Sequence, residues 1–182
     1  MIDYQKETYN KLELLPELPY KVLERLMTDE KAELIWKLLK YNENDAYLKH
    51  NLSLKEKSEL IYNGSGDMSK YNVLLDPYAD EATVQQKVFL RIYNGNNYPE
   101  DHMKSIQEVV FEVYCHPVLS IIKNYQNRID TIIQCIFETL NGADTGQLGH
   151  LYYNDSTKAN CKILILGTKP YKGKYFVFGT RV

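Results

Sequence analysis

Apolar and polar residues alternate through Ile106-Gln-Glu-Val-Val-Phe-Glu-Val-Tyr-Cys115. A period of two puts Val109, Phe111, Val113 and Cys115 on one face and Val110, Glu112 and Tyr114 on the other. That predicts a strand with one wetter face. After His116-Pro117 the period changes. Ile121, Ile122, Tyr125, Ile129, Ile132, Ile133, Ile136 and Leu140 recur at helical spacing, with Arg128, Asp130, Gln134 and Glu138 elsewhere around the wheel. One long amphipathic helix is expected over about 119–140, stopped by Asn141-Gly142.

Upstream the pattern is helical. Pro19 opens a short helix over 20–27, since proline is tolerated at the first helical position. Thr28 reads as a cap, with Asp29 and Glu30 in the first turn of a second helix that runs to about Lys40 on Leu34, Ile35, Leu38 and Leu39. Ser53-Leu-Lys-Glu56 is a capping box that begins a third helix, ending near Tyr62. The first eighteen residues are polar and tyrosine-containing, and read as a helix or an arm ordered by a partner. Asn63-Gly-Ser-Gly66 is the best internal boundary. It divides a helical region, 1–62, from a sheet-plus-helix domain, 67–182.

In that second region, 71–75 reads as a short strand and 84–93 as a long one. Val88, Leu90 and Ile92 fall on one of its faces, Phe89 and Tyr93 on the other. Residues 94–99 read as a loop. The last strands are expected at 148–153, 161–166 and 175–182, with turns at 154–160 and 168–174. The fold class is α+β: three helices, then ββ(β)–α–βββ, a mainly antiparallel sheet packed on the long helix.

Bulk properties narrow the function. The chain has 182 residues, 44% hydrophobic and 25% charged, with a formal net charge of -2. That is enough for a real core, and it supplies no general field for nucleic acid or acidic membrane. Lysine outnumbers arginine 18 to 4, and there are 16 tyrosines, whose amphipathic rings suit interfaces. The cysteines, Cys115, Cys135 and Cys161, are odd in number and far apart, so they read as free thiols in a reducing compartment. No signal peptide and no membrane span is visible, which fits a cytoplasmic protein or one built into an assembly there.

Candidate chemistry is sparse. Cys115, His116, His150 and Cys161 contain zinc-ligand types, but no short-range pair fixes two of them, and neighbours on a strand point apart. A Cys115/His150 nucleophile–base pair lacks an activating turn. The loops 63–67 and 142–146 each follow a helix, so they read as helix stops rather than phosphate cradles. Asp67, Asp76, Asp80 and Glu81 lack calcium-loop spacing. No cofactor, no metal and no catalysis is expected. Lys158, Lys162, Lys169, Lys172 and Lys174, interleaved with Tyr171, Tyr175 and Phe176, make the C-terminal hairpin basic and aromatic. It reads as an exposed β-arm that pairs within an assembly, or alternatively as the surface of a small nucleic-acid-binding or regulatory module.

The helical opening, 18–26 through 35–41 to 52–60, resembles neck proteins of tailed bacteriophages. So does Phe111-Glu-Val-Tyr-Cys-His116 followed by Asn127-Arg-Ile-Asp-Thr-Ile-Ile133. The resemblance is to the head–tail connector, head-closure and tail-terminator group, and it spans most of 18–153. It implies a structural virion protein, a homo-oligomeric ring between portal and tail through which DNA passes, assembled in the host cytoplasm. Its partners would be copies of itself and the portal and tail or other neck proteins, with DNA only in passage and no membrane. Interface residues are then expected at Tyr4 and Tyr9 in the arm and at Tyr171, Tyr175, Phe176 and Phe178 near the C-terminus.

Overall fold

The computed structural model describes residues 15–77, 86–99, 105–146, 149–153, 160–166 and 169–181. Three helices come first: α1 (Leu18–Thr28), α2 (Glu33–Lys40) and α3 (Leu54–Glu59). Pro19 sits in the first turn of α1, as expected. The cap between α1 and α2 is Asp29 rather than Thr28. The Asp29 carboxylate accepts from the Lys31 amide and starts a 3-10 turn, Glu30–Ala32, while Thr28 closes α1 by donating back to Glu24. The capping box of α3 is formed in full: Ser53 Oγ accepts from the Glu56 amide, and the Glu56 carboxylate accepts from the Ser53 amide.

The sheet follows. Among the described residues its strands are β1 (Val73–Leu74), β2 (Val88–Pro99), β3 (Ser105–Cys115), β4 (Leu151–Tyr153), β5 (Asn160–Leu166) and β6 (Lys169–Arg181), with α4 (Arg128–Leu140) between β3 and β4. The order across the sheet is β1-β2-β3-β6-β4, and β5 pairs the other part of β6's outer edge. Among these strand pairs β1 on β2 is the parallel one. The chain is therefore α+β, with the expected order of elements.

Three boundaries differ most from the pattern-based expectation, and α3 also ends at Glu59 rather than near Tyr62. Residues 94–99 continue β2 instead of forming a loop, through a bulge between Asn94 and Asn97. Such a bulge absorbs an extra residue without ending the strand. Residues 169–174 are strand as well, paired with both β3 and β5. The long helix begins at Arg128, not near 119. Asn124 takes a left-handed φ of 68°, and the Asn127 side chain caps α4 by accepting from Ile129 at 2.9 Å. Ile121 and Ile122 share the helical period but lie in the preceding loop, Ile122 buried and Ile121 exposed.

One hydrophobic core joins helices and sheet. Leu18, Val22, Leu26, Ile35, Trp36 and Leu39 from the helices meet Val88, Leu90, Ile92, Val109, Phe111 and Val113, with Ile129, Ile132 and Ile136 of α4. The exposed turn 63–66 connects the two regions, with Gly64 and Gly66 at φ +88° and +83°, where only glycine is unstrained. Phe137 of α4 rests on Phe176 and Phe178 at 5.2 and 5.5 Å between ring centres, and Phe176 stacks on Phe111 at 5.2 Å.

Candidate functional site

The notable sites are places where buried cations hold main-chain oxygens. Arg128, at the first turn of α4, is fully buried. Its Nε donates to Leu119 O at 2.9 Å; Nη1 donates to Leu38 O at 2.9 Å and Tyr41 O at 2.6 Å; Nη2 donates to Asn42 O at 3.2 Å and Glu43 O at 2.9 Å. Two of these oxygens, on Leu38 and Tyr41, lie at the C-terminal end of α2. Carbonyls there have no intrahelical partner and carry the negative end of the helix dipole. A guanidinium fork is suited to the task, because it presents its donors in a rigid plane. Burial lowers the pKa of Arg128, opposed in part by the Glu43 charge. The loop ahead of α4 is tied in as well, with the Lys123 amide donating to Asn44 O at 2.9 Å.

Lys57 repeats the device at the end of α1. It is 3% exposed, and its Nζ donates to Met27 O at 2.8 Å and pairs with Glu33. Trp36 Nε1 takes the neighbouring carbonyl, Leu26 O, at 2.8 Å. Lys87 holds the turn after the glycine boundary through Ser69 O at 2.8 Å and Tyr71 O. Its pKa is pushed down to about 8, mainly by burial.

The face of the sheet turned away from the helices carries the remaining buried charge. Arg91 Nη1 lies 3.3 Å from Glu112 Oε2 and also donates to Pro77 O at 3.3 Å. The guanidinium sits over the rings of Phe89 and Tyr114 at 5.4 and 5.3 Å, and those two rings stack at 5.0 Å. Burial raises the phenol pKa values of Tyr93 and Tyr114, followed by the nearby Glu112 charge. Gly173 makes room for the Tyr114 ring: a Cβ there would fall 2.3 Å from Tyr114 Cδ1. The expected wetter face is thus a buried polar and aromatic layer, with Glu108 and Glu112 nearly inaccessible.

The residues read from sequence as chemical candidates take structural positions. Cys115 and Cys135 are buried free thiols, and burial pushes each up to about 11, far from the reactive thiolate range. His116 is buried and caps the turn Pro117–Leu119 by accepting from the Val118 amide at 3.3 Å. His150 lies instead at the end of α4, bonded to Gly142 O at 3.2 Å. Among the described residues no group of three or more His, Cys, Asp or Glu side chains is placed to hold a metal ion. Gly142 follows α4 at φ +78°, a helix stop as expected. Asp67 caps the turn Met68–Lys70, while Asp80 and Glu81 lie outside the described residues.

The expected interface residues separate. Tyr4 and Tyr9 lie outside the described residues. Tyr171 falls on β6 opposite Leu164, and Tyr175 lies on β6 opposite Glu112, half-buried. Phe176 and Phe178 are fully buried in this chain's own core, so they are not free to meet a neighbour. The C-terminal run is not an exposed arm: β6 lies inside the sheet, flanked by β3 on one side and by β4 and β5 on the other. Lys174 is engaged with Asp130 of α4. Sequence reading missed Arg128, Lys57, Lys87 and Arg91. Scarcity was the available signal for the arginines, since a chain with four of them among eighteen lysines keeps two, Arg91 and Arg128, in its interior.

Among the described residues no helix is long and apolar enough to cross a membrane. No curated protein matches the chain. The model of the YomW family matches residues 32–180, which takes in α2, the Arg128 contacts and nearly the whole sheet. The chain belongs to the YomW family, a phage-derived family of proteins.

Proposed function

We propose that this chain is a non-catalytic structural protein of the phage neck, assembling as a homo-oligomeric ring between portal and tail through which DNA passes. The observation that carries this reading is the use made of buried charge. Arg128, Lys57 and Lys87 are spent on main-chain carbonyls of this chain, and the buried thiols are held protonated. Such groups stiffen a scaffold and leave its outer surface to do the work. Membership of a phage-derived family agrees with a role in the particle.

The contact surface follows from exposure. Val118 and Ile121 are 69% and 47% exposed, and Leu48 is 64% exposed. They sit on the two loops that Arg128 and the Lys123–Asn44 bond fasten together. Apolar side chains held on a pre-organised surface lose little freedom on binding, which favours contact between subunits. The nucleic-acid reading of the C-terminal hairpin has less support, because Lys174 already faces Asp130 and the formal charge is -2.

The test is location. An antibody against the chain, applied to purified phage particles and viewed by electron microscopy, is expected to label one ring at the head–tail junction. Its absence from particles, with the chain found only in the infected cell, would overturn the reading.

A further inference from the structure

The chain has three Asn-Gly dipeptides, Asn63-Gly64, Asn94-Gly95 and Asn141-Gly142. Such a pair can react with itself. The glycine amide nitrogen attacks the asparagine Cγ, a C–N bond forms, the Cγ–Nδ2 bond breaks, and ammonia leaves carrying the glycine amide proton. Water then opens the resulting succinimide to aspartate or to isoaspartate, which extends the backbone by one methylene. The only co-reactant is water. The step needs a free amide nitrogen and a backbone able to turn it toward the side chain.

The three sites differ in both respects. At Asn141 the nucleophile is occupied: the Gly142 amide donates to Leu151 O at 2.7 Å. At Asn94 the backbone is extended and paired with Val109. Gly95 is walled in, since a Cβ there would lie 2.8 Å from Glu108 Cβ and 2.9 Å from Val110 Cγ2. Asn63 is exposed on the turn between the helical region and the sheet, and nothing lies within 4 Å of the Cβ position of Gly64. The Asn63 carboxamide oxygen accepts from Ser65 N at 3.1 Å and Ser65 Oγ at 2.8 Å. Those donors draw electron density from Cγ and stabilise the negative oxygen formed during attack.

We propose that Asn63 is a spontaneous modification site of the folded protein, converting to aspartate and isoaspartate while Asn94 and Asn141 are protected by the fold. The product places a new negative charge four residues before Asp67, whose carboxylate caps the turn that Lys87 fastens to β2. The modification therefore falls on the connection between the two halves of the molecule.

Peptide mapping by mass spectrometry of the full chain, aged at mildly alkaline pH, tests this. Conversion of Asn63 is expected to lead that of Asn94 and Asn141 by at least about tenfold, because packed segments react only through rare local opening. In urea the three sites should convert at similar rates, and Asn63→Gln should leave the folded chain without its fast phase. Equal conversion of all three sites in the folded chain, or an intact Asn63 after the other two have reacted, would overturn the proposal.

Discussion

Two buried arginines lie on opposite sides of the structure and are satisfied in opposite ways. Arg91, on the outer face of the sheet, has a carboxylate partner in Glu112 and rings on which to lie. Arg128, where α2, the loops and α4 meet, has only main-chain oxygens. The first arrangement is a side-chain pair that another pair can replace. The second depends on where the backbone runs. It ties residues 38–43 to residues 119 and 128, across about half the chain, and no single substitution elsewhere can compensate for its loss. The junction around Arg128 therefore specifies the fold, whereas the outer face fills a layer of it.

The largest effect is expected at that junction. Arg128→Met keeps the apolar stem and leaves four of the five carbonyls without donors, Glu43 O keeping the Ala46 amide at 3.2 Å, and is expected to cost about 4 kcal/mol, since each buried group left unpaired costs about 1 to 3 kcal/mol and some regain water. Urea unfolding measures it. Arg128→Lys should recover only part, because an ammonium cannot span the same oxygens. A loss below about 1 kcal/mol would mean that the oxygens find water easily and that the junction is not a lock.

The outer face should behave differently. Arg91→Met alone leaves a carboxylate buried and is expected to cost about 3 kcal/mol. Adding Glu112→Gln should restore most of that loss, since the neutral amide removes the unpaired buried charge. Additive losses in the double variant would erase the contrast between the two arginines.

Lys87 gives the smallest and most specific signal. Its pKa is lowered from 10.5 to about 8 in the folded chain, so between those pH values the unfolded state binds more protons than the folded one. Stability contributed by this group therefore rises with pH across that window. Cys115 and Cys135 act in the opposite direction, because burial raises their thiols from 9.0 to about 11 and their contribution is lost as pH climbs through that range. The quantity to compare is thus wild type minus Lys87→Met. That difference should move in favour of wild type from about pH 8 upward, and a flat difference would show that Lys87 is not desolvated.

The contrast between the two arginines also marks what was legible in the sequence. Apolar periodicity carried the order of elements, and Ser53 with Glu56 carried a helix start, because both are local signals. The inner face of β2 and β3 was legible for the same reason. The start of α4 was not: Ile121 and Ile122 keep the helical period, and only the conformation of Asn124 and the cap at Asn127 show that the helix has not begun. Glu112 and Tyr114 read as solvated because alternation reports polarity, not what lies over a face. The extent of β6 was hidden by Lys and Gly residues, and Gly173 was a turn signal until its place beneath Tyr114 explained it. Arg128 was the hardest. Four of its five acceptors are backbone atoms some 85 to 90 residues away, and no side-chain pattern announces them.

The proposed function requires that the chain be joined to copies of itself. Light scattering coupled to size exclusion, on the purified full chain, tests it most directly. The account predicts a closed particle of several times the 21.3 kDa chain mass, reduced toward the single chain when Val118 and Ile121 are both changed to aspartate. A wild-type chain that stays at its single-chain mass, alone and with phage portal and tail proteins, would contradict it.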